Sequence, residues 1–312
     1  MNRDGNNAAW LLLSLAALCW AGNYVVGRGS RGEIGPVTLA FWRDGLAFLC
    51  ALPFAWRDLV RHRGTLLRAW PRILLLGAIG VGCYHICVYK GLAGTEALNA
   101  AVMLSAMPIT IAIGSWLFLG QRIAALQGFG MALSLVGVGA VVLRGDPMAL
   151  LTLSFNEGDL WMLLAVPLWA AYTVILQHRP IRVPSFALLT ATLGAGVFAI
   201  SPIYAWAAWS GEPMAGSLSA FAALAYVAIF ATLVGYWCWN LGLERMDAAR
   251  AGSFILLTPV FAAILAILLL GERLEAYHLV AAVLVFGGVL LAGRAKRVPN
   301  GTATAAKREA VS

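Results

Sequence analysis

Charged side chains are scarce in this chain. They make up 12% of its 312 residues, and hydrophobic residues make up 61%, against roughly 25% and roughly 45–50% in ordinary soluble domains. Apolar stretches of about 20 residues, the length that crosses a bilayer, recur almost from end to end. The composition therefore excludes an ordinary soluble domain. It predicts a polytopic helical membrane protein with the lipid bilayer as its solvent.

Residues that carry chemistry are also few. The chain has five cysteines and four histidines, and because all the cysteines fall in apolar segments, a disulfide framework is not expected. Cys83 and Cys87 flank His85, but small apolar residues in a packed bundle are a better interpretation than metal ligands. No G-x-x-x-x-G-K-[ST] motif occurs, so we expect no P-loop ATPase. We also expect neither a metal nor another cofactor.

Ten apolar segments are long enough to be membrane spans, and we number them 1 to 10. The first is interpreted as a true span and not as a cleaved signal peptide, because it is long and has a counterpart in the second half of the chain. The segments cover residues 9–27, 36–56, 70–90, 96–118, 124–143, 158–177, 186–206, 218–241, 249–270 and 276–294.

The net charge is +8, and the distribution of the basic residues along the chain indicates the membrane topology. If the N-terminus is cytoplasmic, sixteen Lys and Arg residues lie in cytoplasmic loops and tails, five lie on the opposite side, and Arg43 lies within a span. This asymmetry predicts a protein of a bacterial-type inner membrane with both termini in the cytoplasm. The basic surplus therefore needs no nucleic acid as a partner.

The two halves of the chain repeat each other. At an offset of 151 residues, 91–122 and 242–273 agree at eleven of thirty-two positions. Each copy contains five spans, and because five is odd, the second copy enters the membrane from the opposite side. Inverted repeats of this kind are typical of secondary transporters with alternating access. The predicted units are an N-terminal tail at 1–8, a first repeat at 9–143, a loop at 144–157, a second repeat at 158–294 and a disordered cytoplasmic tail at 295–312.

Prolines recur at equivalent places in the two repeats. Pro108 and Pro259 lie near the middle of spans 4 and 9. Proline lacks an N–H, so the carbonyl four residues earlier loses its usual donor. Paired interruptions of this kind point to a midplane site, and we expect hinges here. Pro53 and Pro202 are also matched, but we expect them near helix ends, where they shape the bundle.

Two helical faces combine aromatic and polar residues in the same pattern. They consist of Trp20, Asn23 and Tyr24 in span 1 and of Trp169, Tyr172 and Thr173 in span 6. The i, i+3, i+4 spacing places each set on one side of its helix. Polar groups at membrane depth face protein or a water-filled cavity. We expect the two faces to oppose each other across a cavity, with hydrogen bonding between neighbouring helices as the alternative.

Further candidate cavity residues come from spans 3, 4, 8 and 9. They are Tyr84, His85, Tyr89, Asn99, Met103, Tyr236, Trp239, Asn240, Ser253 and Thr258. A pocket of these side chains is apolar and aromatic with a few hydrogen-bonding groups. Such a pocket suits an amphipathic small molecule that carries a ring.

Arg43 and Asp44 are adjacent charges inside span 2. An arginine near a helix centre costs roughly 2.5–3.5 kcal/mol on insertion scales, so it requires a partner. Adjacent residues on a helix diverge by about 100°, so we expect Arg43 to pair with another helix, with binding of a substrate carboxylate as the alternative. Asp44 and His85 are the candidates for proton coupling, and transport without coupling stays open.

With these features the chain resembles the drug/metabolite transporter superfamily, in its EamA-type ten-helix branch. The local marks are P-x(11)-G-[E/Q]-R strings at 108–122 and 259–273, with Gln121 where an acidic residue is usual. The resemblance implies an all-α membrane protein of two inverted five-helix repeats around a central cavity. Within the branch the chain looks most like the aromatic amino acid exporters. The residues consistent with this are Trp20, Tyr84, Trp169, Tyr172, Tyr236 and Trp239.

Other functions compete with this one. An exporter of a cationic drug would need a carboxylate in the cavity, and Asp44 is the clear candidate; an exporter of other amino acids also stays open. An intramembrane enzyme would need a nucleophile–base pair or metal ligands at membrane depth, and His85 alone makes a poor active site. A scaffold or channel fits the matched prolines less well. We expect a non-enzymatic exporter, monomeric, in which loops at 91–95 and 242–246 close opposite mouths of one cavity.

Overall fold

The computed structural model describes residues 3–29, 33–95, 97–146, 148, 151, 156–178, 180–270 and 273–295. Within these ranges the chain is almost entirely helical, and Ile34 pairs with Met214 in an isolated antiparallel bridge. Several predictions fall outside the described residues. They concern most of the C-terminal tail, part of the loop at 144–157, Gly271 and Glu272, and the side chains of Tyr24 and Asn99.

The helices follow the predicted spans closely. In the first repeat they are Arg3–Gly29, Pro36–Arg61, Arg63–Arg68, Trp70–Gly77, Ala78–Cys83, Tyr84–Gly94, Ala97–Leu104, Met107–Leu119 and Ala125–Val142. In the second repeat they are Glu157–His178, Ser185–Trp209, Leu218–Tyr226, Val227–Val234, Gly235–Leu243, Ala248–Ser253, Phe254–Leu256, Leu257–Leu270 and Ala276–Arg294.

Eight helical stretches of the described chain are long and apolar enough to cross a membrane. Spans 1 and 4 contribute the shorter apolar helices Asn7–Asn23 and Met107–Leu119. The protein is therefore an all-α polytopic membrane protein, in which each predicted span coincides with helix.

Spans 4 and 9 are interrupted at equivalent positions. Span 4 consists of Ala97–Leu104 and Met107–Leu119, so Pro108 lies in the first turn of the second helix. A missing N–H is tolerated there, because the first N–H groups of a helix have no partner within it. In span 9, the 3-10 turn Phe254–Leu256 precedes the helix that contains Pro259. Both prolines therefore coincide with a change in helical geometry.

Spans 3 and 8 contain matched π-helical segments. The segments are Ala78–Cys83 and Val227–Val234, and the repeat offset of 151 superposes the first on residues 229–234. A π turn holds an additional residue, so it rotates the side chains that follow it away from the α-helical pattern; such turns are frequent at functional sites. His85 and Tyr236 each lie two residues after the end of one of these segments.

The expectation that Pro53 and Pro202 lie near helix ends is wrong. The helices that contain them run to Arg61 and Trp209, about two turns beyond each proline. A proline forfeits one backbone hydrogen bond, whereas ending the helix in an apolar environment would leave several groups unpaired. Continuing the helix is therefore the less costly solution.

The two repeats interleave. Span 1 packs on spans 8 and 9, and span 6 packs on spans 3 and 4. Span 2 lies along span 7, and span 5 lies along span 10. Each of these contacts joins one repeat to the other, so the aromatic faces of spans 1, 3, 6 and 8 meet at the centre of the bundle.

Glycines allow spans 5 and 10 to approach closely. Gly130 lies against the backbone of Gly288 and Ala292. A Cβ atom on Gly288 would overlap the Gly130 carbonyl and the Ser134 hydroxyl, whereas one on Gly287 would meet nothing within 4 Å. Spans 5 and 10 therefore pack closely against each other within the chain.

We expect Gly288→Ala to destabilise the protein by about 1–3 kcal/mol, the usual cost of overpacking. Gly287→Ala is the matched control on the same span, and it should leave stability within about 1 kcal/mol of the parent. Thermal unfolding of the detergent-purified proteins, followed by intrinsic fluorescence, measures both. Equal midpoints for the two variants would contradict the packing described.

Candidate functional site

A small cavity lies between the repeats. Its volume is about 30 Å³, which is room for water but not for an amino acid. The lining comes from both repeats and consists of Trp20, Asn23, Arg43, Tyr84, His85, Val88, Met107, Trp169, Tyr236, Ile255 and Thr258.

Aromatic rings pack tightly around this cavity. Trp20 and Trp169, from equivalent positions of spans 1 and 6, meet edge to face with ring centroids 5.1 Å apart. Trp239 lies 5.4 Å from Trp20 and 5.5 Å from Trp169. Tyr84 and Tyr236 lie 5.0 and 5.2 Å from Trp169. Such pairs contribute about 0.5–1.5 kcal/mol each beyond their buried area, so this aromatic cluster holds the closed cavity together.

Two cavity residues carry buried groups with no hydrogen-bond partner in the described part of the chain. These groups are Trp169 Nε1 and Thr258 Oγ1. By contrast, Trp20 Nε1 donates to the carbonyl of Ala231 at 3.0 Å. A buried unpaired group costs about 1–3 kcal/mol. Two of the residues that line the cavity therefore carry hydrogen-bonding groups that are not used within the described part of the chain.

The other candidate residues are buried but lie outside the lining. They are Tyr89, Met103, Tyr172, Thr173, Trp239, Asn240 and Ser253. Among them, Tyr172 donates to Asn240 Oδ1 at 3.0 Å, which joins spans 6 and 8. The lining also contains Val88, Met107 and Ile255, which the sequence analysis missed. Met107 and Ile255 lie at the interruptions of spans 4 and 9, and that position is the signal that could have found them.

Arg43 finds its hydrogen-bond partners on three other spans. Its Nε donates to Thr232 Oγ1 in span 8 at 2.8 Å. Its Nη1 donates to the Tyr89 hydroxyl at 2.6 Å and to Asn23 Oδ1 at 3.4 Å. The Tyr89 hydroxyl in turn donates to Asn23 Oδ1 at 2.9 Å. Charge-assisted bonds of this kind offset the loss of water around the guanidinium.

Asp44, His85 and Tyr236 form a continuous buried chain. The Asp44 oxygens lie 2.8 and 2.9 Å from His85 Nδ1, and Oδ1 lies 3.7 Å from Arg43 Nε. His85 Nε2 lies 2.9 Å from the Tyr236 hydroxyl, which donates to the Gly80 carbonyl at 2.8 Å. The chain runs from span 2 through span 3 to span 8, and so connects the two repeats.

Two loops join the repeats at the end of the bundle where spans 2 and 8 begin. The Glu212 carboxylate accepts hydrogen bonds from the N–H groups of Val37 and Thr38 at 3.2 and 2.7 Å, and therefore caps span 2. The Glu33 carboxylate accepts a hydrogen bond from the Ser217 hydroxyl at 2.7 Å, at the start of span 8. In each case, a loop of one repeat supplies a carboxylate that accepts hydrogen bonds at the start of a span of the other repeat.

The segments at 91–95 and 242–246, which the sequence analysis predicts to be loops, include the last turns of the helices Tyr84–Gly94 and Gly235–Leu243. Both segments are fixed to span 6. The Thr95 hydroxyl donates to Asp159 near the start of the span. At the other end, Gln177 Nε2 donates to the carbonyls of Leu243 and Met246, each at 2.7 Å. Both segments are therefore held against span 6, and Gln177 is a residue that the sequence analysis missed.

Comparison with known proteins gives matches along the whole bundle. A profile of the EamA-like transporter family matches residues 7–143 and 156–294. An uncharacterized transporter of Archaeoglobus fulgidus is 27% identical over 293 residues, which cover 92% of this chain and 97% of the relative. A probable amino-acid metabolite efflux pump of Salmonella typhimurium is 28% identical over 296 residues, which cover 90% and 93%. A crystal structure that is 20% identical shares the fold, with a TM-score of 0.75 over 92% of this chain and 96% of that chain.

We expect Thr232→Val to lower the free energy of unfolding by about 1–3 kcal/mol, because the buried Nε–H of Arg43 loses its acceptor. Thr190→Val is the matched control. Thr190 is also buried, and its hydroxyl donates within its own helix, to the Phe186 carbonyl at 2.8 Å. Thermal unfolding in detergent compares the two variants, and an equal loss in both would contradict the contribution assigned to Arg43.

Proposed function

The chain belongs to the EamA-like transporter family, and we propose that it exports small amphipathic metabolites, specifically aromatic amino acids, by alternating access. The observation that carries this proposal is the contact between Trp20 and Trp169. These residues occupy equivalent positions in two inverted repeats and meet at a cavity that both repeats line. The relative named as a probable amino-acid metabolite efflux pump supports the class of substrate.

In this proposal, an aromatic ring of the substrate replaces the contact between the indoles of Trp20 and Trp169. A cavity of about 30 Å³ is much smaller than the roughly 300–1,000 Å³ of small-molecule pockets, so Trp20 and Trp169 must separate before a substrate enters. Their separation loses an attractive aromatic pair, and an aromatic substrate ring between them restores it. Trp169 Nε1 and Thr258 Oγ1 then provide hydrogen-bonding groups for the polar end of the substrate. A substrate without a ring would not offset the cost of opening.

Access alternates because the two mouths of the cavity are closed by different contacts. One mouth opens when Gln177 releases the segment at 242–246, and the other when Thr95 leaves Asp159. Hinges at Pro108 and Pro259 allow the repeats at 9–143 and 158–294 to move. The loop at 144–157 links them, and both termini lie on the cytoplasmic side of a bacterial-type inner membrane.

Export of a cationic drug has less support. The carboxylate required for such a substrate would be Asp44, but Asp44 is fully buried, contacts His85 and Arg43, and does not line the cavity. The names of the relatives also indicate a transporter and not an enzyme. Among amino acids, the density of indole and phenol rings favours those with a ring over small polar ones.

Counterflow tests the substrate. Purified protein in proteoliposomes loaded with unlabelled phenylalanine should take up labelled phenylalanine or tryptophan. Excess tryptophan should compete, and threonine should not. Equal competition by threonine would overturn the aromatic preference. No uptake of any amino acid by demonstrably folded protein would overturn the substrate assignment.

We expect Trp20→Ala and Trp169→Ala to raise the half-saturating concentration of phenylalanine by up to about tenfold for each aromatic contact that is lost. The control is Trp206→Ala, which removes an indole that is 66% exposed on span 7, away from the cavity. Concentration series of counterflow in the three variants measure the effect. Unchanged values in both cavity variants would place the substrate elsewhere.

A further inference from the structure

The chain of Asp44, His85 and Tyr236 contains more hydrogen-bond contacts than its ordinary protonation state has hydrogens to fill them. Three contacts have hydrogen-bond lengths: Asp44 to His85, His85 to Tyr236, and Tyr236 to the carbonyl of Gly80, at 2.8–2.9 Å. An ionised Asp44 and the carbonyl can only accept hydrogen bonds. A neutral His85 supplies one hydrogen and Tyr236 supplies another. With two hydrogens, the Tyr236 hydroxyl must share its hydrogen between His85 Nε2 and the Gly80 carbonyl. One additional proton would give each of the three contacts its own hydrogen.

We propose that this chain is a proton-binding site and that the protein exchanges its substrate for a proton, an inference that rests on the proposed transport function. The additional proton resides on the Asp44–His85 pair, either as an imidazolium beside a carboxylate or as a carboxylic acid beside a neutral imidazole. In either form, all three contacts are hydrogen bonds. Without that proton, the Tyr236 hydroxyl shares its one hydrogen between two acceptors, which weakens both contacts.

Charged and titratable groups surround the site from several spans. They are Arg43 and Asp44 in span 2, Tyr84 and Tyr89 in span 3, Tyr172 in span 6 and Tyr236 in span 8. The Arg43 guanidinium is permanently charged. With Asp44 ionised and His85 neutral, Arg43 and Asp44 cancel, and the additional proton leaves a net charge of one on the buried group.

The proton is coupled to the substrate through Tyr236. The ring of Tyr236 lies 6.2 Å from Trp20 and 5.2 Å from Trp169, and its hydroxyl is held by His85 and Gly80. The protonated chain therefore fixes the aromatic cluster in its closed arrangement. The substrate requires the open arrangement, so proton and substrate favour opposite states of one element. By linkage, each then weakens the binding of the other.

Because the proton and the substrate favour opposite arrangements of the aromatic cluster, the protein exchanges one for the other. A substrate that enters from the cytoplasm opens the cluster and releases the proton to that side. After the substrate leaves on the opposite side, a proton from there restores the three contacts and the closed cluster. One proton enters for each substrate molecule exported.

The test uses the full chain in proteoliposomes, with the membrane potential clamped at zero and labelled phenylalanine as the probe. A gradient of one pH unit should drive about tenfold accumulation if one proton is exchanged, and saturating phenylalanine should release protons from detergent-solubilised protein. Counterflow without either effect would overturn the proton site but leave the proposed function standing. Absence of counterflow would overturn the proposed function itself.

Asp44→Asn tests the residues. An amide at this position donates to His85 Nδ1, so the three contacts are satisfied without the additional proton. A pH gradient should then give no accumulation of phenylalanine, with a ratio of inside to outside concentration of about one, while counterflow persists. Because Arg43 loses its carboxylate in this variant, Tyr236→Phe provides a second test, with loss of proton release on phenylalanine binding as its readout. Tyr204→Phe is the control, because its hydroxyl accepts from Trp42 Nε1 at 2.9 Å outside the site. Undiminished pH-driven accumulation in both site variants would overturn the assignment.

Discussion

A permanent charge at membrane depth determines how the centre of this bundle is arranged. The guanidinium of Arg43 cannot lose its proton, so its N–H groups must be satisfied by other helices. Asn23 and Tyr89 do this from the same repeat, and Thr232 does it from the other. Thr232 also donates to the carbonyl of Val227, five residues earlier, as the π-helical geometry of span 8 allows. Satisfying one arginine thus fixes the relative positions of four spans and places Asp44 against His85.

The fold is symmetric, but its chemistry is not. Spans 3 and 8 share π-helical segments, spans 4 and 9 share interruptions, and spans 1 and 6 contribute equivalent indoles. The positions in span 7 that correspond to Arg43 and Asp44 hold Thr192 and Leu193. Thr192 satisfies its hydroxyl within its own helix, at the carbonyl of Leu189. The duplication of the five-helix repeat therefore explains the cavity and its two mouths. The charged residues of the network, in contrast, belong to the first repeat, and the second repeat contributes neutral hydrogen-bond partners.

Hydropathy predicted the ten spans because the bilayer sets both their length and their composition. Residue spacing was enough to single out Trp20 and Trp169, and the cost of a buried charge was enough to require partners for Arg43. Which partners these are depends on tertiary packing. The π-helical segments have no hydropathy signature, since apart from Thr232 their residues are apolar or small, as in the α-helical parts of the same spans. Gln177 and Glu212 were missed for the opposite reason: polar residues at the ends of spans look like solvated loop residues until the loops they hold are known.

Each repeat packs mainly against the other, which bears on the order in which the bundle can form during synthesis. The first repeat is made and inserted before span 8 exists, because Thr232 follows Arg43 by 189 residues. Arg43 nevertheless has Asn23 and Tyr89 within its own repeat, 20 and 46 residues away in sequence. The guanidinium of Arg43 can therefore be hydrogen-bonded within the first repeat before the second repeat is inserted into the membrane. The ring contacts described for Trp20 are to Trp169, Tyr236 and Trp239, all in the second repeat. The central cluster is therefore completed only after the second repeat has been synthesised.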